Sequence, residues 1–219
     1  MGDAAATSSA VTVDRLQPEE TAPGAALLAR SFVDERIFAH IFEGCERARV
    51  ERAITPWFRV WIRSFLPLGE IHAARLEGRL VGVGVRIPPG GHPLGGLRQA
   101  RFMFSLMAAM LRMTMTSRRA IRLGSFARQL ARLEPKEPFW NLVWIGVDPD
   151  VQRHGVGRAL ADEVVALADS TSSPCWLVTF GPHTRALYER LGFAVETEVR
   201  PFSEGPIGWT LRREPRRAA

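Results

Sequence analysis

The densest chemical signal in the chain is Val147-Asp148-Pro149-Asp150-Val151-Gln152-Arg153-His154-Gly155-Val156-Gly157-Arg158-Ala159-Leu160. A hydrophobic run before it, Trp140 to Val147, reads as a strand, and Gly157 to Ala168 after it reads as a helix. A turn between a strand and a helix offers unpaired backbone N–H groups at the positive end of the helix dipole, which suits phosphate oxygens. Glycines there let the main chain approach a ligand without an intervening side chain. A nucleotide P-loop is excluded because Arg158-Ala159, not lysine and a hydroxyl residue, follow Gly157. A dinucleotide fingerprint fits poorly, since Leu160 stands where its third glycine belongs. The rival reading is a tight turn that holds no ligand.

A second chemical group follows. Pro174 to Thr179 reads as a buried strand broken by Gly181-Pro182, and His183 to Phe193 reads as a short helix closed by Gly192. Within it lies Tyr188, the single tyrosine of the 219 residues. A lone tyrosine packs on a helix face as readily as it donates a proton, so its placement decides between the two.

Gln152-Arg153-His154-Gly155-Val156-Gly157 after a strand ending in Val147-Asp148-Pro149, with Leu187-Tyr188-Glu189-Arg190-Leu191-Gly192-Phe193 downstream, resembles the GCN5-related N-acetyltransferases (GNAT). Glu134 to Trp140, Gly146 to Gln152, Tyr188 to Phe193 and Glu204-Gly205-Pro206 resemble most the puromycin N-acetyltransferases and their relatives, densest over about 134 to 215. The resemblance implies an α/β (α+β) GNAT fold: a mixed central sheet of six to seven strands, flanking helices, and a helical insertion between the third and fourth strands. It implies acetyl-CoA as cosubstrate, with no metal. The pyrophosphate would lie on the amides of Gln152, Arg153, His154, Gly155, Val156, Gly157 and Arg158, with charge from Arg153 and Arg158 wherever they do not simply face solvent. The pantetheine arm would pair near Ile145 and Val147 where two strands separate, with Gly146 tolerating a bulge. Thr184 would stand beside the cofactor, and Tyr188 would protonate the leaving thiolate. Relatives often carry an acidic residue and an asparagine where this chain has Val178 and Thr184; a threonine supplies only part of an asparagine's hydrogen bonding.

The function so implied is direct transfer of an acetyl group to an amine of a small molecule, of which an aminonucleoside is one kind. The alternative is a catalytically silent acetyl-CoA sensor or interaction protein. Glu43, Glu46, Glu70 and His72 are the candidate bases, and sequence does not choose among them. Cys175 begins a buried strand with no histidine placed beside it, which disfavours an acyl-enzyme.

Composition sets the frame. With 46% hydrophobic residues the chain has material for one core, expected over residues 11–215 between a disordered 1–10 and a tail at 216–219. No signal peptide or myristoylation pattern is present, two distant cysteines suit a reducing compartment, and the expected location is cytoplasmic. Five scattered histidines argue against a metal. A homodimer is compatible with all of this.

Upstream, Val11 to Val13 begins a strand, Pro18 starts a helix running to Val33, and Glu46 to Phe65 is amphipathic with Pro56 expected to bend or divide it. Glu70 to Leu76 and Arg79 to Ile87 form a hairpin around Glu77-Gly78. The insertion, about 97 to 133, is helical by pattern. Phe102, Leu106, Met110 and Met113 share a face, with Met103, Met107 and Leu111 alongside. Residues 78 to 133 hold ten arginines and no Asp or Glu, in a chain of net charge +6. Three readings stay open for this segment: core packing, a pliable methionine wall for the acceptor, or a basic amphipathic helix on a membrane surface. Its apolar runs are too short to span a bilayer, and no base-reading motif accompanies the arginines, which disfavours nucleic acid; solvated helix faces that also steer anionic CoA toward its slot are the preferred reading of the charge.

Overall fold

In the computed structural model, which describes residues 10–216, seven strands form one sheet. The strands are β1 (Thr12–Arg15), β2 (Ile71–Leu76), β3 (Arg79–Ile87), β4 (Trp140–Val147), β5 (Cys175–Thr179), β6 (Ala194–Val199) and β7 (Gly208–Arg213), in the order β1-β2-β3-β4-β5-β7-β6. Only β4 and β5 run parallel. The expected disordered segment 1–10 and tail 216–219 lie almost wholly outside the described residues. The hairpin forms where expected: Glu77 and Gly78 both take positive φ, the geometry that matches the twist of a two-residue turn.

Helices cover both faces. On one lie α1 (Thr21–Phe32) and α3 (Arg47–Phe65), with α2 (Arg36–Ile41) between them. Leu28, Ile54, Phe58 and Ile62 of these helices pack with Ile71, Ala73, Val83 and Val85 of the hairpin. On the other face α6 (Val156–Ser170) sets Val156 and Leu160 against Ala74 and Val81, and α7 (Pro182–Arg190) closes a third cluster. The insertion between the third and fourth strands is helical, formed by α4 (Gly96–Thr116) and α5 (Leu123–Leu133).

Three expectations are corrected. Pro56 does not divide α3, which runs unbroken from Arg47 to Phe65. Val50, Ile54, Phe58, Ile62 and Phe65, on both sides of the proline, share one buried face, and that packing outweighs the lost backbone bond. Pro56 itself borders a groove between α3 and α4. In α4, Phe102 and Met113 are buried as their spacing predicts, but Met103, Met107 and Leu111 are exposed.

The third correction concerns Gly146. The irregularity in the β3–β4 ladder falls at Val143, where Val85 pairs with Trp144 and Arg86 with Leu142, while Gly146 pairs regularly with Val83. The absence of a side chain at Gly146 has another reason: a Cβ there would stand 2.6 Å from Leu28 Cδ2 and 3.2 Å from Ser31 Cβ. Leu28 is fully buried, so it has little room to yield. Gly146→Ala is expected to destabilise the fold by about 1–3 kcal/mol through overpacking. At roughly 2–4 °C per kcal/mol for a chain of this size, thermal melting should detect it.

Candidate active site

The sheet opens in its middle. Parallel pairing of β4 with β5 is limited to Trp140–Cys175, Asn141–Trp176 and Leu142–Leu177. Beyond Leu142, β4 stays with β3 to Val147, while β5 stays with β7 to Thr179, so the two strands diverge. The bulge at Val143 sits where the divergence begins and bends β4 away. Asp148 N–H donates to Val81 C=O at 2.8 Å. Antiparallel alternation then turns the main-chain groups of Ile145 and Val147 toward the gap. One of these donors is already engaged: Val147 N–H donates to Ser31 Oγ of α1 at 3.1 Å.

The loop after β4 is built from local geometry. Asp148 accepts from Asp150 N–H at 3.2 Å and from Arg30 Nη2 at 2.9 Å, pinning the exit of the strand to α1. Arg153 and Gly155 both take left-handed backbone angles, φ 72° and 79°, which reverse the chain into α6. The first capping bond of α6 runs from Ala159 N–H to Gly155 C=O at 2.9 Å. The N–H groups of Val156, Gly157 and Arg158 therefore precede the helix's own bonding and point out of its positive end. His154 folds back, its Nδ1 lying 3.2 and 3.1 Å from the carbonyl oxygens of Val151 and Gln152, so the imidazole shapes the loop. Arg158 Nε pairs with Asp162 at 3.0 Å, which offsets its charge, whereas Arg153 is exposed without an ion pair among the described residues.

Tyr188, on α7, is 6% exposed. It shares a cluster with Trp140, Leu142, Cys175 and Leu177, and thus sits at the foot of the gap, beside the last paired residues of β4 and β5. Phe193 meets its ring edge-on at 5.4 Å between centroids. Burial pushes the phenol pKa well above its ordinary value, and the neighbouring Cys175 adds to the shift. Burial likewise pushes the Cys175 thiol up to about 12, which keeps it protonated and a poor nucleophile. Thr184 lies on the first turn of α7, its Oγ1 2.9 Å from where a Cβ on Gly181 would be. Val178 packs on the α1–α3 side.

On one face of the splayed half of β4 lie α1 and α3. Trp144, in the splayed half of β4, packs edge-on to Phe32 at 5.2 Å and to Phe58 at 5.2 Å, with Trp61 at 6.3 Å. The indole Nε1 atoms of Trp57, Trp61 and Trp144 are buried with no hydrogen-bond partner among the described residues. Unmade buried bonds of this kind are costly, and a water or a ligand's acceptor atom would satisfy them.

Sequence reasoning missed Glu35 altogether. It caps α2, its Oε2 accepting from Ile37 N–H at 3.0 Å, and burial raises its carboxyl pKa above the ordinary range. Arg36 beside it donates to Phe180 C=O at 3.3 Å, which ties this corner to the end of β5. The available signal was an acid before Ile37, Phe38 and Ile41, a pattern too short to read as a helix.

The four named acids and bases fare differently. Glu43 is exposed and held below the ordinary carboxylate range by its bond to Arg119. Glu46 occupies the exposed N-cap of α3. Glu70 pairs with the buried Arg86 at 3.0 Å, and His72 Nε2 lies 2.8 Å from Arg86 Nη2. Burial, reinforced by Arg86, pushes the His72 pKa down to about 4. Ile71 and Ala73 pack toward α1 and α3, so strand alternation turns His72 to the α6 face, away from Trp144. No group of His, Cys, Asp and Glu among the described residues is arranged to hold a metal ion.

Residues 121–195, spanning α5, β4, the loop, α6, β5 and α7, match the acetyltransferase (GNAT) domain family. Solved structures align over nearly the whole chain. A histone acetyltransferase HPA2 and related acetyltransferase from Corynebacterium glutamicum is 19% identical, with a TM-score of 0.68, covering 95% of this chain and 98% of that one. The polyamine N-acetyltransferase of Drosophila melanogaster is 17% identical at TM-score 0.57, with 94% and 100% covered. A mosquito arylalkylamine N-acetyltransferase like 5b is 15% identical at TM-score 0.57, again with 94% and 100% covered. The chain has the fold of the GNAT acetyltransferases.

Proposed function

We propose that this protein is an N-acetyltransferase that moves the acetyl group of acetyl-CoA directly onto an amine of a small, ring-bearing molecule. The observation that carries the reading is the separation of β4 from β5 after Leu142, flanked by an open helix N-terminus at Val156–Arg158 and by Tyr188 at its foot. A thioester arm threads such a gap by pairing with exposed strand groups. Ile145 offers its main-chain N–H and C=O, while Ser31 already holds the Val147 N–H. Amides from Gln152 to Arg158 hold the pyrophosphate, assisted by Arg153. A strand N–H polarises the thioester oxygen as the amine attacks, and Tyr188 gives its proton to the departing thiolate. The protonated, buried Cys175 supports direct attack over an acyl-enzyme.

The amine approaches from the α1–α2 side. Glu35 takes its proton, because a carboxyl raised by burial is a stronger base than a solvated one. Three unpartnered indole N–H groups and the rings around Trp144 support an acceptor with a flat or apolar body and hydrogen-bond acceptors of its own. An aminonucleoside has both, in keeping with the resemblance to puromycin N-acetyltransferases, and the polyamine and arylalkylamine enzymes of the same fold suggest the other arms of a test.

The test is thiol release from acetyl-CoA against aminonucleosides, arylalkylamines and polyamines. Release that requires one class establishes both enzyme and acceptor. Binding of acetyl-CoA without release for any amine would favour the silent sensor, and no binding would overturn the reading. A companion prediction concerns the loop. Gly157→Glu places a carboxylate at the positive helix end and should raise KM for acetyl-CoA at least about tenfold, with circular dichroism unchanged.

A further inference from the structure

The arginines of the insertion face a second row on α3. A groove of about 680 Å³ between α3 and α4 is lined by Arg52, Arg59, Arg63, Arg98, Arg101 and Arg112, and no carboxylate among the described residues lines it. All six are exposed, and none forms an ion pair among the described residues. Arg52, Arg59 and Arg63 recur at spacings of seven and four, which puts them on one face of α3. Six like charges held this closely repel one another unless an anion lies among them.

Beside this groove α4 presents an apolar stripe. Leu97, Met103, Phe104, Met107, Leu111 and Met115 are each between 47% and 77% exposed. Leu97, Phe104 and Leu111 repeat every seven residues, and Met107, Leu111 and Met115 every four, so the stripe runs the length of this 21-residue helix, about 30 Å. Arg101 and Arg112 border it, since residues 101, 108, 112 and 115 are helical neighbours. The buried face, Phe102, Ala109 and Met113, is already used against α3. A contiguous exposed apolar surface of this kind marks a binding face.

We propose that α4 docks the protein on an anionic phospholipid surface, the apolar stripe entering the headgroup boundary and the arginine groove taking lipid phosphates. Charge complementarity selects this occupant. A second copy packed stripe to stripe would set Arg101 and Arg112 against their own mates, and no acid lies between residues 78 and 133 to separate them. A nucleic acid would neutralise the arginines but leave Leu97, Phe104 and Leu111 in water. Only an interface with phosphates above an apolar layer satisfies both rows. No helix among the described residues is long and apolar enough to cross a membrane, so the contact is peripheral.

Co-sedimentation of the whole protein with vesicles tests this. Phosphatidylcholine vesicles containing about a third phosphatidylglycerol should pull the protein down, pure phosphatidylcholine should not, and about 0.5 M salt should weaken the binding. The double variant Arg101→Gln with Arg112→Gln should lose about thirtyfold in partitioning, as removal of two basic residues near an anionic surface implies. Phe104→Ser with Leu111→Ser should lose at least as much, with circular dichroism and acetyl-CoA binding unchanged in both. Equal partitioning into neutral and anionic vesicles, or none into either, overturns the proposal. So does salt-sensitive binding to RNA or DNA in place of vesicles that survives Phe104→Ser with Leu111→Ser. A dimer by sedimentation velocity that these two serines dissociate, without vesicle binding, also overturns it.

Discussion

Replacing Tyr188 with phenylalanine should lower kcat about 10²–10⁴-fold, the range ordinarily lost with a positioned general acid. KM for acetyl-CoA and the melting temperature should stay close to wild type. The substitution removes one oxygen and keeps the ring that packs on Phe193, Leu142 and Leu177. Burial raises the phenol pKa, so Tyr188 holds its proton throughout the working pH range and contributes no limb of its own to the pH–rate profile. A raised phenol pKa does not make it a useless acid here. The same dry surroundings penalise a free thiolate, so the leaving group's proton affinity climbs together with the donor's. Single-turnover thiol release is the right measurement, because slow product release would hide a chemical defect. Retention of full single-turnover rate in the phenylalanine variant would remove Tyr188 from the mechanism and leave it as the packing residue that its cluster also makes it.

How much of this site can be read from the chain depends on how local its causes are. The strand Trp140–Val147, the loop and α6 are legible because a hydrophobic run, two glycines and an amphipathic run follow one another without interruption. Where a long-range contact sets the outcome, sequence misleads. Gly146 looks like a hinge for a bulge, but Leu28, more than a hundred residues earlier, is what leaves no space for a side chain, and the bulge moves to Val143. The Val147 N–H looks free along the strand, yet Ser31 of α1 occupies it. Pro56 carries the local signature of a break, and the shared core under both halves of α3 overrides it. In α4 the periodic apolar residues outnumber what one buried face accommodates. Pattern alone does not say which row meets α3 and which is left outside.

Glu35, proposed above as the base that takes the amine's proton, is not among the residues that sequence singles out, and its replacement by glutamine is the second large effect expected. The proton-accepting form of Glu35 is the carboxylate, and burial raises the pKa at which that form appears. Activity of the wild type should therefore rise with pH through a value above the ordinary carboxylate range of about 4.3, then level off. Glu35→Gln should remove that limb and lower kcat/KM about 10²–10⁴-fold at neutral pH. Stability should respond in the opposite sense. A carboxyl whose folded pKa is raised stabilises the fold most below its unfolded pKa, and that contribution is lost as pH climbs through the folded pKa. Above that folded pKa the protein carries a buried charge at some cost, and glutamine relieves it. The glutamine Oε1 still accepts from Ile37 N–H, so the cap of α2 is kept. Loss of activity with an unchanged or higher melting temperature is the combination a purely structural role does not produce. Glu43→Gln supplies the contrast: Glu43 is bound to Arg119 and already ionised far below neutrality, so its removal should leave the pH profile in place. If Glu35→Gln instead kept the acidic limb and a kcat/KM within a few-fold of wild type, the amine would be losing its proton to water or to another group.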